Sequence, residues 1–118
     1  MGRKKRVPLN LWETAYMTRE DAHYIRLGDS FLESKAVQGL SHATFRVLIQ
    51  MIKACAGKKE FNFSRSYYES KCGLSHSTVI RSIAELEEKG FIKVNHERYS
   101  NRPNSYSWSD AWKIIMGL

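Results

Sequence analysis

Acid is scarce in this sequence: 12 Asp and Glu stand against 19 Lys and Arg, a formal charge of +7 over 118 residues. Cysteine is scarcer still. Cys55 and Cys72 lie well apart and form no CxxC, so they read as two reduced thiols. Cys72 and His76 are four apart, but Gly73 and a turn separate them and no second Cys/His pair is near, so no structural zinc is expected. No apolar stretch follows the basic N-terminus as a signal peptide would require, and no window is apolar for long enough to span a bilayer. A cytoplasmic protein without membrane association is expected. A Gly-rich phosphate loop, a carboxylate pair in a cleft and a nucleophile at a recognisable spacing from a base are also missing. The chain therefore reads as a non-enzyme without cofactor or metal.

What is present suits one folded domain. The length allows a single modest core, and 42% hydrophobic residues exclude wholesale disorder. The surplus of positive charge suggests nucleic acid or an acidic surface as partner. Four cations in succession, Arg3, Lys4, Lys5 and Arg6, open residues 1–22, which mix apolar and polar positions without a period. This segment reads as a partly extended basic arm that adds electrostatic attraction to a phosphate backbone. Alternatively it is a solvated tail, with Trp12 and Tyr16 laid against the body or a second subunit. The domain proper is read as 23–118.

Within it, residues 23–27 alternate as a short strand would, and 29–40 fit a short helix capped by Asp29 or Ser30, with Phe31, Leu32, Ala36 and Leu40 apolar. Ser41 is the N-cap of a longer helix, whose Phe45, Leu48, Ile49, Ile52 and Ala56 form a core stripe before a stop at Gly57. Phe61 and Phe63 alternate in a short strand. Ser64 caps a brief helix with Tyr67 and either Cys72 or Lys71 inward, and Gly73 ends it. Ser75 caps the next helix, making a helix-turn-helix.

In that next helix, 75–89, Val79, Ile83 and Leu86 share the inward face, with small Ser82 on its edge. At about 100° per residue the outward face carries Ser77, Arg81, Ala84, Glu85 and Glu88, and Ile80 stands at the border. The helix is also sorted lengthwise. Its N-terminal half offers Ser75, His76, Ser77, Thr78 and Arg81 together with free backbone N–H groups, which suit phosphate oxygens and base edges. Its C-terminal half carries acid that a polyanion would repel. Insertion into the major groove by the N-terminal end, acidic end outward, satisfies both halves. Glu85 also stands at the i, i+4 spacing from Lys89 for an ion pair.

After Gly90, Ile92 and Val94 begin one strand of a hairpin, and Tyr106 and Trp108 alternate on the return. The turn-rich tip, 95–104, bears Arg98, Asn101 and Arg102 and reads as a basic wing placed for phosphate or the minor groove. Ser109 caps a last helix with Trp112, Ile115 and Met116 on one side, an apolar ending for the core or a dimer contact.

The string Gly73-Leu74-Ser75-His76-Ser77-Thr78-Val79, with Arg81, Ile83, Leu86 and Lys89-Gly90-Phe91-Ile92, resembles the winged helix-turn-helix domains of GntR- and MarR-type bacterial regulators. It is similar as well to the winged domains of phage and plasmid replication proteins, which the ending 104–113 and the segment 31–34 favour. The resemblance runs from His23 to the end and is strongest over 61–108. It implies an α+β, mainly helical fold: a three-helix core, a small antiparallel sheet of two or three strands, an N-terminal arm and a C-terminal helix. It also implies double-stranded DNA as partner, with contacts from Ser75, His76, Ser77, Thr78, Arg81 and the wing tip. The role would be transcription regulation or phage or plasmid replication, alone, as a homodimer or beside a replication or phage protein. One departure is Glu69, four residues before Gly73, where the family carries a small residue. The competing reading is a winged helix that binds protein through Trp112, Ile115 and Met116 and does not bind DNA.

Overall fold

Ser34 divides the entry to the folded body. The computed structural model describes residues 9–15, 23–95 and 105–115. In it the single helix expected over 29–40 is two single-turn helices, α1 (Asp29–Leu32) and α2 (Lys35–Gln38). The Ser34 hydroxyl donates to the Phe31 carbonyl at 2.7 Å and accepts from the Val37 N–H at 3.2 Å, so it closes α1 and caps α2 together. Gly28 precedes α1 without any side-chain cap, which corrects the assignment of that role to Asp29 or Ser30. The strand expected over 23–27 is also absent. That stretch belongs to no ladder and lines a groove with the C-terminal end of the helix that follows α2.

Three further serines set the longer helices as the sequence predicts. Ser41, Ser64 and Ser75 accept from the N–H groups of Thr44, Tyr67 and Thr78 at 3.2, 3.3 and 3.3 Å. They start α3 (His42–Cys55), α4 (Arg65–Cys72) and α5 (His76–Glu88), each satisfying a donor that a helix start leaves unpaired. α3 ends at Ala56, which takes the left-handed conformation itself at φ 50°, with Gly57 following at φ 79°.

Three strands make the antiparallel sheet: β1 (Glu60–Asn62), β2 (Ile92–Asn95) and β3 (Ser105–Trp108), in the order β1-β3-β2. Tyr106 is the middle rung, paired with Phe61 on one side and Val94 on the other. The Phe61 ring stacks on Tyr106 and Trp108 with centroids 5.8 and 5.0 Å away. Cross-strand aromatic pairs of this kind fix the register of so small a sheet.

The core lies where α3, α5 and the sheet meet. Val47, Leu48 and Met51 of α3, Cys72 of α4, and Val79 and Leu86 of α5 are fully buried, together with Phe91 and Ile92. The inward face of α3 is therefore Thr44, Val47, Leu48, Met51 and Cys55, rotated round the helix by about one residue from the expected stripe. Leu48 belongs to both sets, Phe45 and Ile52 flank the core half-buried, and Ala56 is exposed. In α4 the buried pair is Tyr68 and Cys72, Tyr67 being half-buried and Lys71 exposed.

α6 (Ala111–Ile115) closes over the start of β2, its first N–H accepted by the Ser109 hydroxyl at 3.1 Å. Trp112 stacks on Phe91 at 5.3 Å, meets the Phe31 ring in a T-shaped contact at 6.0 Å, and donates its backbone N–H to the Gly90 carbonyl at 3.1 Å. Gly90 permits this approach. At φ 84° it takes a conformation side chains disfavour, and a Cβ there would stand 2.8 Å from the Trp112 nitrogen. Trp112 thus packs within the fold, whereas Ile114 is 80% exposed. Near the N-terminus, Leu11–Glu13 form a 3-10 turn closed by Asn10, and Trp12 projects into solvent at 84% exposure rather than lying on the body.

Candidate nucleic-acid interface

The link between α4 and α5 is held from outside by one arginine. Gly73 turns the chain at φ 65°, and Arg46 of α3 donates through Nε to the carbonyl of Cys72, one of the acceptors a helix end leaves open. α3 therefore fixes where α4 stops and, two residues later, where α5 starts. Glu69, the residue in the position expected to be small, does not enter this contact. It is exposed and pairs with Arg65 at 2.8 Å along the outer side of α4, while Tyr68 and Cys72 fill the inner side.

The start of α5 brings together the five residues assigned to it. Ser75 is occupied as the cap: its hydroxyl accepts from the Thr78 N–H and lies 2.8 Å from the Thr78 hydroxyl and 3.3 Å from that of Ser77. Thr78 is half-buried and its carbonyl accepts from Ser82 at 2.9 Å. Ser77 and Arg81 are exposed, and among the described residues Arg81 has no hydrogen bond or ion pair.

His76 is exposed but not free to turn. Its Nδ1 lies 2.9 Å from the Tyr68 hydroxyl, and the two rings stack at 5.9 Å with 19° between their planes. Burial raises the Tyr68 pKa above its usual value, against the opposing charge of Arg65, so the phenol keeps its proton. The contact occupies Nδ1 and leaves the Nε2 side of the exposed ring for an outside partner. No local sequence signal links these two residues, which meet only because the turn at Gly73 folds α5 back across α4.

The acid at the far end of α5 has structural work. Glu85 accepts from the Ser41 N–H at 3.2 Å and stands 3.8 Å from Lys89, whose ammonium in turn reaches the Gly39 carbonyl at 3.1 Å. Glu87 accepts from the Val94 N–H at 3.2 Å. These two carboxylates fasten α5 to the start of α3 and to β2. Glu88 is exposed without a partner among the described residues. The expected Glu85–Lys89 pair is present, and the longer-range ties have no counterpart in local spacing.

Arg3, Lys4, Lys5 and Arg6 of the arm and Arg98, Asn101 and Arg102 of the wing tip lie outside the described residues, as does Met116. Cys55 and Cys72 are buried free thiols, and the described residues contain no group of three or more His, Cys, Asp or Glu able to hold a metal. No helix among them is long and apolar enough to cross a membrane.

Residues 38–92 match the family model of a helix-turn-helix domain. The match begins at the last residue of α2 and ends at the first of β2, so it contains α3, α4 and α5, the Gly73 turn and the whole N-terminal face of α5. It supports DNA binding in general as the activity of this part of the chain. No curated protein and no solved structure matches the sequence.

Proposed function

We propose that the protein binds double-stranded DNA with the N-terminal half of α5 in the major groove. His76, Ser77 and Arg81 face the base edges, while Ser75 and Thr78 hold the first turn in shape beside the phosphates. The loop 95–104 acts as a wing, with Arg98, Asn101 and Arg102 on the backbone or in the minor groove, and the run from Arg3 to Arg6 adds attraction without sequence preference. The role that fits is a transcriptional regulator or a phage or plasmid replication-associated protein.

The observation that carries this reading is the distribution of charge along α5. The end with open N–H groups and positive dipole has exposed Ser77 and Arg81, whereas Glu85 and Glu87 at the other end are bonded into the fold. The formal charge of +7 agrees with it. Fluorescence anisotropy with the whole chain tests it, using a duplex and its separated strand over a series of salt concentrations. Random duplex should bind with Kd on the order of 10⁻⁴ to 10⁻⁶ M, tighter than single strand, and log affinity should fall linearly with log salt. A chain that leaves duplex unbound even at low salt does not have this function.

A further inference from the structure

One apolar side chain on α5 is left half open by the fold. Ile80 leaves 47% of its surface open, while Val79 beside it and Ile83 one turn on are at 0% and 8%. Of its neighbours along the helix, Ser77 and Ala84 are exposed and too short to cover it, and the His76 ring is held against Tyr68. Isoleucine is a poorer helix former than the lysine or glutamine an idle solvent position would carry, and its open surface has an unfavourable hydration cost. Its β-branch holds χ1 nearly fixed, so seating it against a partner loses little rotamer freedom.

Resting on the reading that this end of α5 enters the major groove, we propose that Ile80 determines specificity by packing against the C5 methyl of a thymine. Among the four bases, that methyl is the apolar group offered on the major-groove edge. Ile80 lies between Ser77 and Arg81 in sequence, so one turn of helix combines a hydroxyl, an apolar knob and a guanidinium. The polar pair has hydrogen-bonding atoms to read. Ile80 has none, and the contact it can make is with a methyl.

The test begins by selecting bound sequences from a random duplex pool with the whole chain. Each thymine of the enriched site is then replaced singly by deoxyuridine, which keeps every hydrogen-bonding atom and removes only the methyl. At one position the unaltered protein should lose about fourfold in affinity, the worth of burying one methyl-sized group. Ile80→Ala should bind the thymine and uracil duplexes equally, both at about the weaker value. Ile80→Val, which keeps the branched methyls, should retain the preference, and circular dichroism melts should show both variants folded because the site is exposed. Duplex binding by the unaltered protein with indifference to every methyl, or an Ile80→Ala variant that still prefers thymine, would overturn the assignment and leave the DNA-binding reading intact. Failure to bind any duplex would instead remove that reading and this one with it.

Discussion

The Glu85 carboxylate, near the end of α5, accepts the backbone N–H of Ser41, the cap of α3, at 3.2 Å across 44 residues of sequence. The bond fastens the far end of α5 to the start of α3. Glu85→Ala should lower stability by about 1 kcal/mol, in the range of a hydrogen bond to a charged group that is partly exposed. Glu88→Ala, at an exposed position two turns beyond Arg81, should change it by less than about 0.5 kcal/mol. Urea midpoints of the two variants, measured side by side, check the contrast.

The two glycines that flank α5 should differ in what they tolerate. Gly73 has φ 65°, but a Cβ there meets only the Arg46 side chain at 3.6 Å, so Gly73→Ala should cost about 1 kcal/mol from backbone conformation alone. Gly90 has φ 84° and faces backbone: the Trp112 nitrogen at 2.8 Å and the Ala111 carbonyl carbon at 3.0 Å. Gly90→Ala should therefore cost more, about 3 kcal/mol, and should loosen α6. Near-ultraviolet circular dichroism of Trp112, stacked on Phe91, reports the loosening.

Alkali should unfold the protein from the thiol range upward. Burial raises the Cys72 thiol above its ordinary 9.0 against the opposing charge of Arg46, and burial raises Tyr106, Tyr67 and Tyr68 above 10.0. All four hold their protons more tightly folded than unfolded, so their contribution is complete below about pH 9 and is lost as pH rises through the folded values. Stability should fall by up to about 1.4 kcal/mol per pH unit for each group titrating in the unfolded chain alone. Denaturant midpoints between about pH 7 and 11 should stay level and then decline. Cys72→Ala should delay the onset, although the cavity it leaves lowers the plateau.

Arg81 and the wing arginines should be separable by sequence dependence. If Arg81 reads a guanine, Arg81→Ala should lower affinity for the selected site by about 1 to 3 kcal/mol and flatten the preference at one base pair. Removing the charge at Arg98 or Arg102 should weaken selected and random duplexes alike and reduce the salt slope by about one for each phosphate no longer neutralised. Titrations of both duplexes at several salt concentrations distinguish the two patterns.

The local features of this fold are legible in the sequence, and the long-range ones are not. Ser41, Ser64 and Ser75 cap helices by bonds that span three residues, so their chemistry is written in the adjacent sequence. The inward face of α5 is legible because Val79, Ile83 and Leu86 repeat at helical spacing while, apart from Ile80 and Ala84, the rest of the helix is polar. On α3 apolar residues occur almost all round, at 45, 47, 48, 49, 51 and 52, so periodicity does not select between two faces, and packing against α5 selects the one through Val47 and Met51. The middle place of β3 in the sheet, the tie from Glu85 to Ser41 and the Tyr68–His76 contact each join residues brought together only by the completed fold. At the candidate interface the grouping of the five residues at the start of α5 follows from the capping serine and the helical period. The mutual hydrogen bonds of Ser75 and Thr78 occupy two of the side chains that the sequence offers to a partner, while Ser77 and Arg81 stay exposed. Ile80, at the border of a face by helical angle, projects from that face once α5 is packed.

The central claim is that the leading end of α5 is the part of the molecule that meets DNA. Amide chemical shifts of the labelled whole chain, followed during titration with a selected duplex, test it most directly. The account predicts that the amides of residues 76–81 shift or broaden while those of Glu88, β1 and α6 stay in place. Saturable perturbation centred on β1 or α6, with residues 76–81 unmoved, would contradict it.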